Sequence, residues 1–199
     1  MSTLRSLILP PMATLAVGIS LGALGPLLGT ADDPVIHAMH VVLSAGWSWA
    51  ALGFGVGITR NSLAQSAVLA AFSLLAGVVT YYAVKSHQGE VDETSFISKV
   101  IFWGLFAVIL GSILGVTGKL AKSEGLLSLP FRLLIPLIAL FESSMRLRSE
   151  ATTQGQVVST TWEVTRGVAV AAVIALIAQA ITSWRSRASA DRGENVLTR

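Results

Sequence analysis

Charged residues inside an apolar stretch are the strongest chemical candidates in this sequence. Arg132 and Glu142 lie in a run dominated by leucine, isoleucine, proline and phenylalanine. An ionisable group in such surroundings is costly, so it marks a functional position by default. Arg132 fits an anion site or the partner of a carboxylate, and Glu142 fits a proton or cation site. The structural alternatives are an Arg132 side chain that extends to water from a helix end and a Glu142 paired with Arg146, four residues later.

Two histidines form a second candidate site, for a metal ion. His37 and His40 are three residues apart and follow Asp32 and Asp33. Imidazole and carboxylate groups are ligands of zinc and other transition metals, and this spacing places both rings on one helix face. The pattern lacks the glutamate of a metalloprotease helix and has no defined third ligand. The alternative is a pair of histidines at the polar end of a helix.

Several other chemistries find no support in the sequence. The chain has no cysteine, which excludes disulfides, thiolate metal ligands, iron–sulfur clusters and a cysteine nucleophile. The segment GFGVG at residues 53–57 resembles part of a phosphate loop, but it lies in an apolar run with no strand before it. We therefore predict no catalytic residue, no cofactor and no nucleic-acid partner.

Composition and patterning identify the elements that carry these residues. Hydrophobic residues make up 53% of the 199 positions and charged residues 13%, so the solvent of this chain is a lipid bilayer rather than water. The apolar residues form long runs, which predict an all-α, polytopic transmembrane helical bundle. We predict six spans and a polar, disordered cytoplasmic tail at residues 185–199. The spans are residues 7–28, 35–57, 63–84, 99–116, 126–147 and 162–184.

The first of these runs has a second interpretation. Arg5 followed by an apolar stretch also resembles a signal peptide, with Thr30-Ala31 as the cleavage point. The run is long for the apolar region of a signal peptide and many further spans follow. We therefore interpret it as the first transmembrane span.

The distribution of charge predicts the orientation of the bundle. With six spans, the amino terminus, the second and fourth joints and the tail lie on one side of the membrane. That side holds eight basic residues: Arg5, Arg60, Lys119, Lys122, Arg185, Arg187, Arg192 and Arg199. The positive-inside bias then places both termini in the cytoplasm, in a multi-pass protein of a bacterial cell membrane.

Glycines spaced four apart predict close helix contacts. In the first span the pairs are Gly18 with Gly22 and Gly25 with Gly29. Such a face lets two backbones approach closely inside a membrane. We expect this face to pack within the chain, and the alternative is contact with a partner subunit in the membrane.

Five segments of the chain resemble an uncharacterised family of small actinobacterial integral membrane proteins of about this length. The segments are GISLGALGPLLG, SAGWSWAALGFGVG, GVVTYY, ILGSILG and LFESSMRL, and the resemblance covers most of residues 20–181. It implies a membrane-embedded bundle. Because the family has no assigned activity, the resemblance implies no catalytic or binding residues.

Three functional hypotheses follow from the sequence. The first is a non-enzymatic integral membrane protein whose charged residues are structural. The second is a small-solute transport or substrate-capture subunit that uses Arg132 or Glu142, since six glycine-rich helices in a chain of this size are similar in architecture to the capture subunits of vitamin transporters. The third is a metal-dependent membrane enzyme or sensor that uses His37 and His40. A cavity of several hundred Å³ beside Arg132 or Glu142 would favour the second.

Overall fold

The computed structural model describes residues 2–123, 125–149 and 155–197. Its described residues form seven α-helices and one short 3-10 turn, Leu126–Ser128, and they contain no strand. The helices are α1 Ser2–Leu28, α2 Pro34–Ser44, α3 Gly46–Ile58, α4 Leu63–His87, α5 Glu93–Ala121, α6 Leu129–Ser149 and α7 Gln156–Leu197. The all-α class predicted from the apolar runs is confirmed for this part of the chain.

Four helices are long and apolar enough to cross a membrane. The candidate spans are Pro11–Leu28, Leu63–His87, Glu93–Ala121 and Gln156–Trp184, and α2 with α3 adds a fifth if that bent pair is a single span. The sequence also predicts a span at residues 126–147, where the structure has α6. This helix is not among the candidates, because four charged side chains interrupt its 21 residues.

The predicted second span is two helices instead of one. α2 ends at Ser44 and α3 begins at Gly46, and Ala45 between them has the extended backbone angles φ −68° and ψ 143°. The axes of the two helices differ by 59°. The break leaves the first N–H groups of α3 without acceptors inside their own helix, so other residues must satisfy them.

Aspartates begin two of the helices. The Asp33 carboxylate accepts hydrogen bonds from the backbone N–H groups of Val35 and Ile36 at 2.8 and 3.0 Å. Asp92 accepts one from the N–H of Ser95 at 3.2 Å, and hydrogen bonds from the Ser95 side chain and backbone hold the pKa of the Asp92 carboxyl below its ordinary value. Both are N-caps, the role in which aspartate stabilises a helix start.

The glycine face of α1 packs within the chain. A Cβ at Gly18 or Gly22 would overlap a carbonyl group of α4, so these two backbones touch directly. The Ser73 hydroxyl adds a hydrogen bond from α4 to the Thr14 carbonyl of α1, at 2.7 Å. The groups that a Cβ would meet along this face are Ser73 at Gly18, Gly77 at Gly22, Ser44 and Tyr81 at Gly25, and His40 at Gly29.

Glycines also seat α5 against α3 and α4. A Cβ at Gly115 would overlap the Ser66 carbonyl of α4, and one at Gly118 would overlap the Phe54 carbonyl of α3. Gly57 of α3 lies against the backbone of Gly115 in the same way. Small residues therefore form the contact surfaces of α3, α4 and α5, as expected of helices that pack without a hydrophobic driving force.

The last helix is the longest of the described helices, and little of its apolar segment is buried. Only 6% of the apolar segment Gln156–Trp184 is buried, against 28% for the corresponding segments of α4 and α5, so α7 lies at the edge of the bundle. α7 continues through Leu197, whereas the sequence predicts a disordered tail from Arg185. The tail contains arginine and alanine and no proline, a composition that permits a helix to continue.

Candidate ligand-binding cavity

A cavity of about 410 Å³ lies between α3, α4, α5 and α6. Its floor belongs to a buried apolar cluster formed by Ala50, Leu74, Ala107 and Leu114. Leucine and isoleucine side chains of α6 pack against the same cluster and close it on that side. The volume is within the range of small-molecule sites, roughly 300–1,000 Å³.

Aromatic side chains from three helices form the wall of the cavity: Trp49, Tyr81, Tyr82, Trp103 and Phe106. Trp49 meets Tyr81 edge to face, with ring centres 6.1 Å apart, and Tyr81 meets Tyr82 in the same way at 5.2 Å. Trp103 and Phe106 are neighbours on one face of α5, 6.0 Å apart. The edge-to-face geometry is the favoured one for aromatic pairs, so the wall is a packed surface.

The polar end of the cavity is the carboxylate of Glu142. Its two oxygens accept hydrogen bonds from the backbone N–H groups of Gly46 and Trp47, at 3.0 and 2.8 Å. These are the first N–H groups of α3, exposed by the break at Ala45. A carboxylate there satisfies them and also complements the positive end of the helix dipole. Glu142 thus caps a helix that lies almost a hundred residues earlier in the chain.

Arg146 also borders the cavity, one turn after Glu142 on α6. Its guanidinium carbon lies 5.9 Å from the centre of the Trp162 ring of α7. Trp162 belongs to a second buried cluster with Ala45, next to the helix break. Arg146 therefore connects the cavity to the packing of α7.

Arg132, the other charged candidate, does not border the cavity. Its Nε donates a hydrogen bond to the carbonyl of Ala121 at 2.9 Å, and its Nη2 donates one to the carbonyl of Ser123 at 3.1 Å. These carbonyls lie at the carboxyl end of α5, where the helix leaves acceptors unpaired and the dipole favours a cation. Arg132 and Glu142 therefore lie apart in the structure. Arg132 bonds to the carboxyl end of α5, and Glu142 bonds to the amino end of α3.

The two histidines also lie at a helix end. Nδ1 of His40 is 2.6 Å from the carbonyl oxygen of Gly25, and because a carbonyl can only accept, this nitrogen donates. The rings of His37 and His40 are neighbours, with centres 6.0 Å apart. Across the residues that the structure describes, no three histidine, aspartate or glutamate side chains are grouped to hold a metal ion.

The cavity opens on the outer surface of α5. Trp103, Phe106 and Leu110 border the cavity and are also about half exposed, at 49, 44 and 50%. Further apolar side chains of α5 are exposed around them, among them Phe102 and Ile109. The cavity therefore borders the apolar outer surface of α5.

Sequence reasoning identified one member of this site and missed the others. Glu142 stood out as a charge in an apolar run, whereas the aromatic residues of the wall were not predicted to belong to a site. The available signal was the spacing of Trp103 and Phe106, which puts both rings on one face of α5. Their meeting with the tyrosines of α4 depends on helix packing, which no local pattern reveals.

Comparison with known proteins places the chain in a family without assigning it an activity. No curated protein matches it, and no solved structure does. Residues 1–197 match the family of unknown function DUF6518. The match confirms the resemblance to an uncharacterised family that the glycine-rich and aromatic segments predicted. The chain belongs to DUF6518, a family of unknown function.

Proposed function

We propose that this protein is a multi-pass protein of the cell membrane that captures a small amphipathic molecule, without catalysis, in the cavity beside Glu142. The proposal rests on the cavity of about 410 Å³, with its aromatic wall and a single carboxylate at its polar end. Apolar surface combined with a few placed polar groups is the usual composition of a small-molecule site. The half-exposed mouth on α5 supports entry from the bilayer.

The proposed topology has six crossings, with both termini in the cytoplasm. Five are supported by length and composition, counting the bent pair α2 and α3 as one. For α6, the support is that Arg132 bonds to α5, Glu142 bonds to α3 and Arg146 contacts a ring of α7. A charge that caps a helix end inside the bundle costs far less than one exposed to lipid.

A purely structural role is the second candidate function. The capping geometry favours it, because both oxygens of Glu142 already accept hydrogen bonds, from the backbone N–H groups of Gly46 and Trp47. In that case the cavity would be filled by any lipid chain, with no preference among molecules. The two functions differ in whether a defined species is retained.

A variant that narrows the mouth distinguishes these functions. Leu110→Trp places a larger side chain at the cavity entrance, while Ile109→Trp makes the same change at an exposed neighbour that does not border the cavity. The purified proteins are extracted, and the small molecules that they retain are identified by mass spectrometry. Capture predicts a species enriched with the unmodified protein and with Ile109→Trp, but lost with Leu110→Trp. The same lipid profile in all three would overturn it.

A further inference from the structure

We infer that the cavity takes an organic ammonium ion with an apolar body, bound with its charge between the Glu142 carboxylate and the aromatic wall. This inference rests on the proposed function, since it names the ligand class of the same cavity. It follows from three features: the charge of the polar end, the composition of the wall and the position of the mouth.

The carboxylate retains the capacity to bind a cation. Each Glu142 oxygen accepts one backbone hydrogen bond from α3, and an ionised carboxylate has about four lone-pair positions. The amino end of α3 contributes only about half a positive charge. The Glu142 carboxylate therefore keeps negative charge and lone-pair positions with which it can bind a cation in the cavity.

Arg146 also borders this cavity, and its guanidinium is directed toward α7. Its guanidinium lies near the face of Trp162, a ring of α7 that is not part of the cavity lining. An aromatic face attracts a cation, so this contact draws the arginine toward α7. Glu142 is then the charged group that meets the polar end of a ligand.

The aromatic wall suits an ammonium group in particular. Aromatic faces attract cations whose charge lies within about 6 Å of the ring centre, and tryptophan does so most strongly. One ring of the wall already has such a contact, because Nζ of Lys85 lies 5.5 Å from the centre of Tyr81. That lysine is outside the cavity lining and forms an ion pair with Glu90 at 2.8 Å. The rings of the wall are therefore able to receive a cation from the cavity as well.

The mouth accounts for the apolar body of the ligand. Entry past Trp103, Phe106 and Leu110 leads from the surroundings of α5 into the cavity, and the floor that receives the ligand is made of alanine and leucine. A small, strongly hydrated cation would lose its water there without compensation. A cation that carries an apolar group gains from burying that group against the floor.

The test compares three molecules that share one apolar body. These probes are phenylpropyl trimethylammonium, the neutral analogue in which a tert-butyl group replaces the trimethylammonium group, and phenylpropyl sulfonate. Binding to the full chain in nanodiscs of zwitterionic lipid is measured by calorimetry and corrected with empty nanodiscs. We expect the ammonium to bind about tenfold more tightly than the neutral analogue, and the sulfonate most weakly.

Two pairs of variants assign the preference to this site. Glu142→Gln should weaken ammonium binding about tenfold and leave the neutral analogue unchanged, whereas Glu163→Gln, at an exposed carboxylate of α7, should change neither. If Glu142→Gln fails to fold, Trp103→Leu provides the measurement, with Phe102→Leu as its matched control on the exposed face of α5. Trp103→Leu should reduce the preference for the ammonium over the neutral analogue.

The outcomes separate the two proposals. Equal affinity for the ammonium and the neutral analogue in the unmodified protein overturns the ammonium inference and leaves capture in the cavity intact. A preference that survives both Glu142→Gln and Trp103→Leu also overturns it. If none of the three probes binds, both the ammonium inference and capture of small amphipathic molecules are rejected.

Discussion

His40, Glu142 and Arg132 each bond to the end of a helix other than their own. His40 bonds to the carbonyl of Gly25 in the last turn of α1, Glu142 to the first N–H groups of α3, and Arg132 to the last carbonyls of α5. His40 and Arg132 are donors and bond to carbonyl groups at carboxyl ends, whereas Glu142 is an acceptor and bonds to N–H groups at an amino end. Helix ends leave backbone groups without partners in their own helix, so these side chains stabilise the helix ends that they contact.

Removing the Arg132 side chain should destabilise the protein. Arg132→Ala leaves the carbonyls of Ala121 and Ser123 without their donors, and we expect a loss of about 2 kcal/mol, which lowers Tm by roughly 4–8 °C. Thermal unfolding in one detergent, followed by circular dichroism, measures the change. Arg148→Ala removes an exposed arginine of the same helix and should leave Tm nearly unchanged. Equal shifts for the two variants would contradict the capping role.

The sequence identified these polar residues but not what they bind. Arg132 and Glu142 were conspicuous because lipid makes an isolated charge expensive, and that argument needs only the local sequence. Their partners are carbonyl and N–H groups of other helices, which become available only where those helices end or break. The anion, proton and metal sites considered from the sequence share this limit, because each requires knowing which residues meet.

Among the helices, the pairing of glycines with backbone carbonyls decides which elements touch. The spacing of four predicted such a face on α1, and its glycines do lie at helix contacts; glycines of α3 and α5 make contacts of the same kind. The break between α2 and α3 was not predicted, since SAGWSW contains no proline and its apolar run is continuous. A cap supplied by α6 makes the break possible, and this cap is distant in sequence.

A pair of glycine substitutions on α3 tests this packing. Gly57→Ala places a Cβ against the Gly115 carbonyl, whereas Gly55→Ala places one in open space. We expect the first to cost about 1–3 kcal/mol through overpacking and the second to be neutral or stabilising by about 0.5–1 kcal/mol. Chemical or thermal unfolding in detergent compares the two. Similar stability for both variants would show that α3 and α5 do not approach as closely as described.

For the whole molecule, the apolar runs of the sequence predict most of the helices but not the number of crossings. α4 coincides closely with the predicted span 63–84, and α5 contains the predicted span 99–116 and extends beyond it at both ends. The exception is α6, where the sequence predicts a span at residues 126–147 but the charged residues leave too little apolar sequence for a candidate span. Whether it crosses the membrane depends on its surroundings rather than on its own residues.

Cysteine accessibility tests the six-crossing topology, and the absence of native cysteine makes each site unique. Single cysteines are placed at the exposed residues Asn61, Thr94, Lys122 and Arg148, and intact cells are treated with a maleimide that does not cross membranes. The proposed topology predicts labelling at Thr94→Cys and Arg148→Cys, with Asn61→Cys and Lys122→Cys labelled only after permeabilisation. Labelling of positions 122 and 148 from the same side would show that α6 does not cross.

The cap on α3 also has a consequence for the order in which the protein is made. Synthesis proceeds from the amino terminus, so residues 34–58 leave the ribosome long before Glu142 does. Until α6 is inserted, the N–H groups of Gly46 and Trp47 have no carboxylate to receive them. The nascent segment then has its lowest free energy as one uninterrupted helix, because such a helix satisfies these N–H groups internally. We expect the bend at Ala45, and with it the cavity, to form only when the fifth predicted span, which contains α6, arrives.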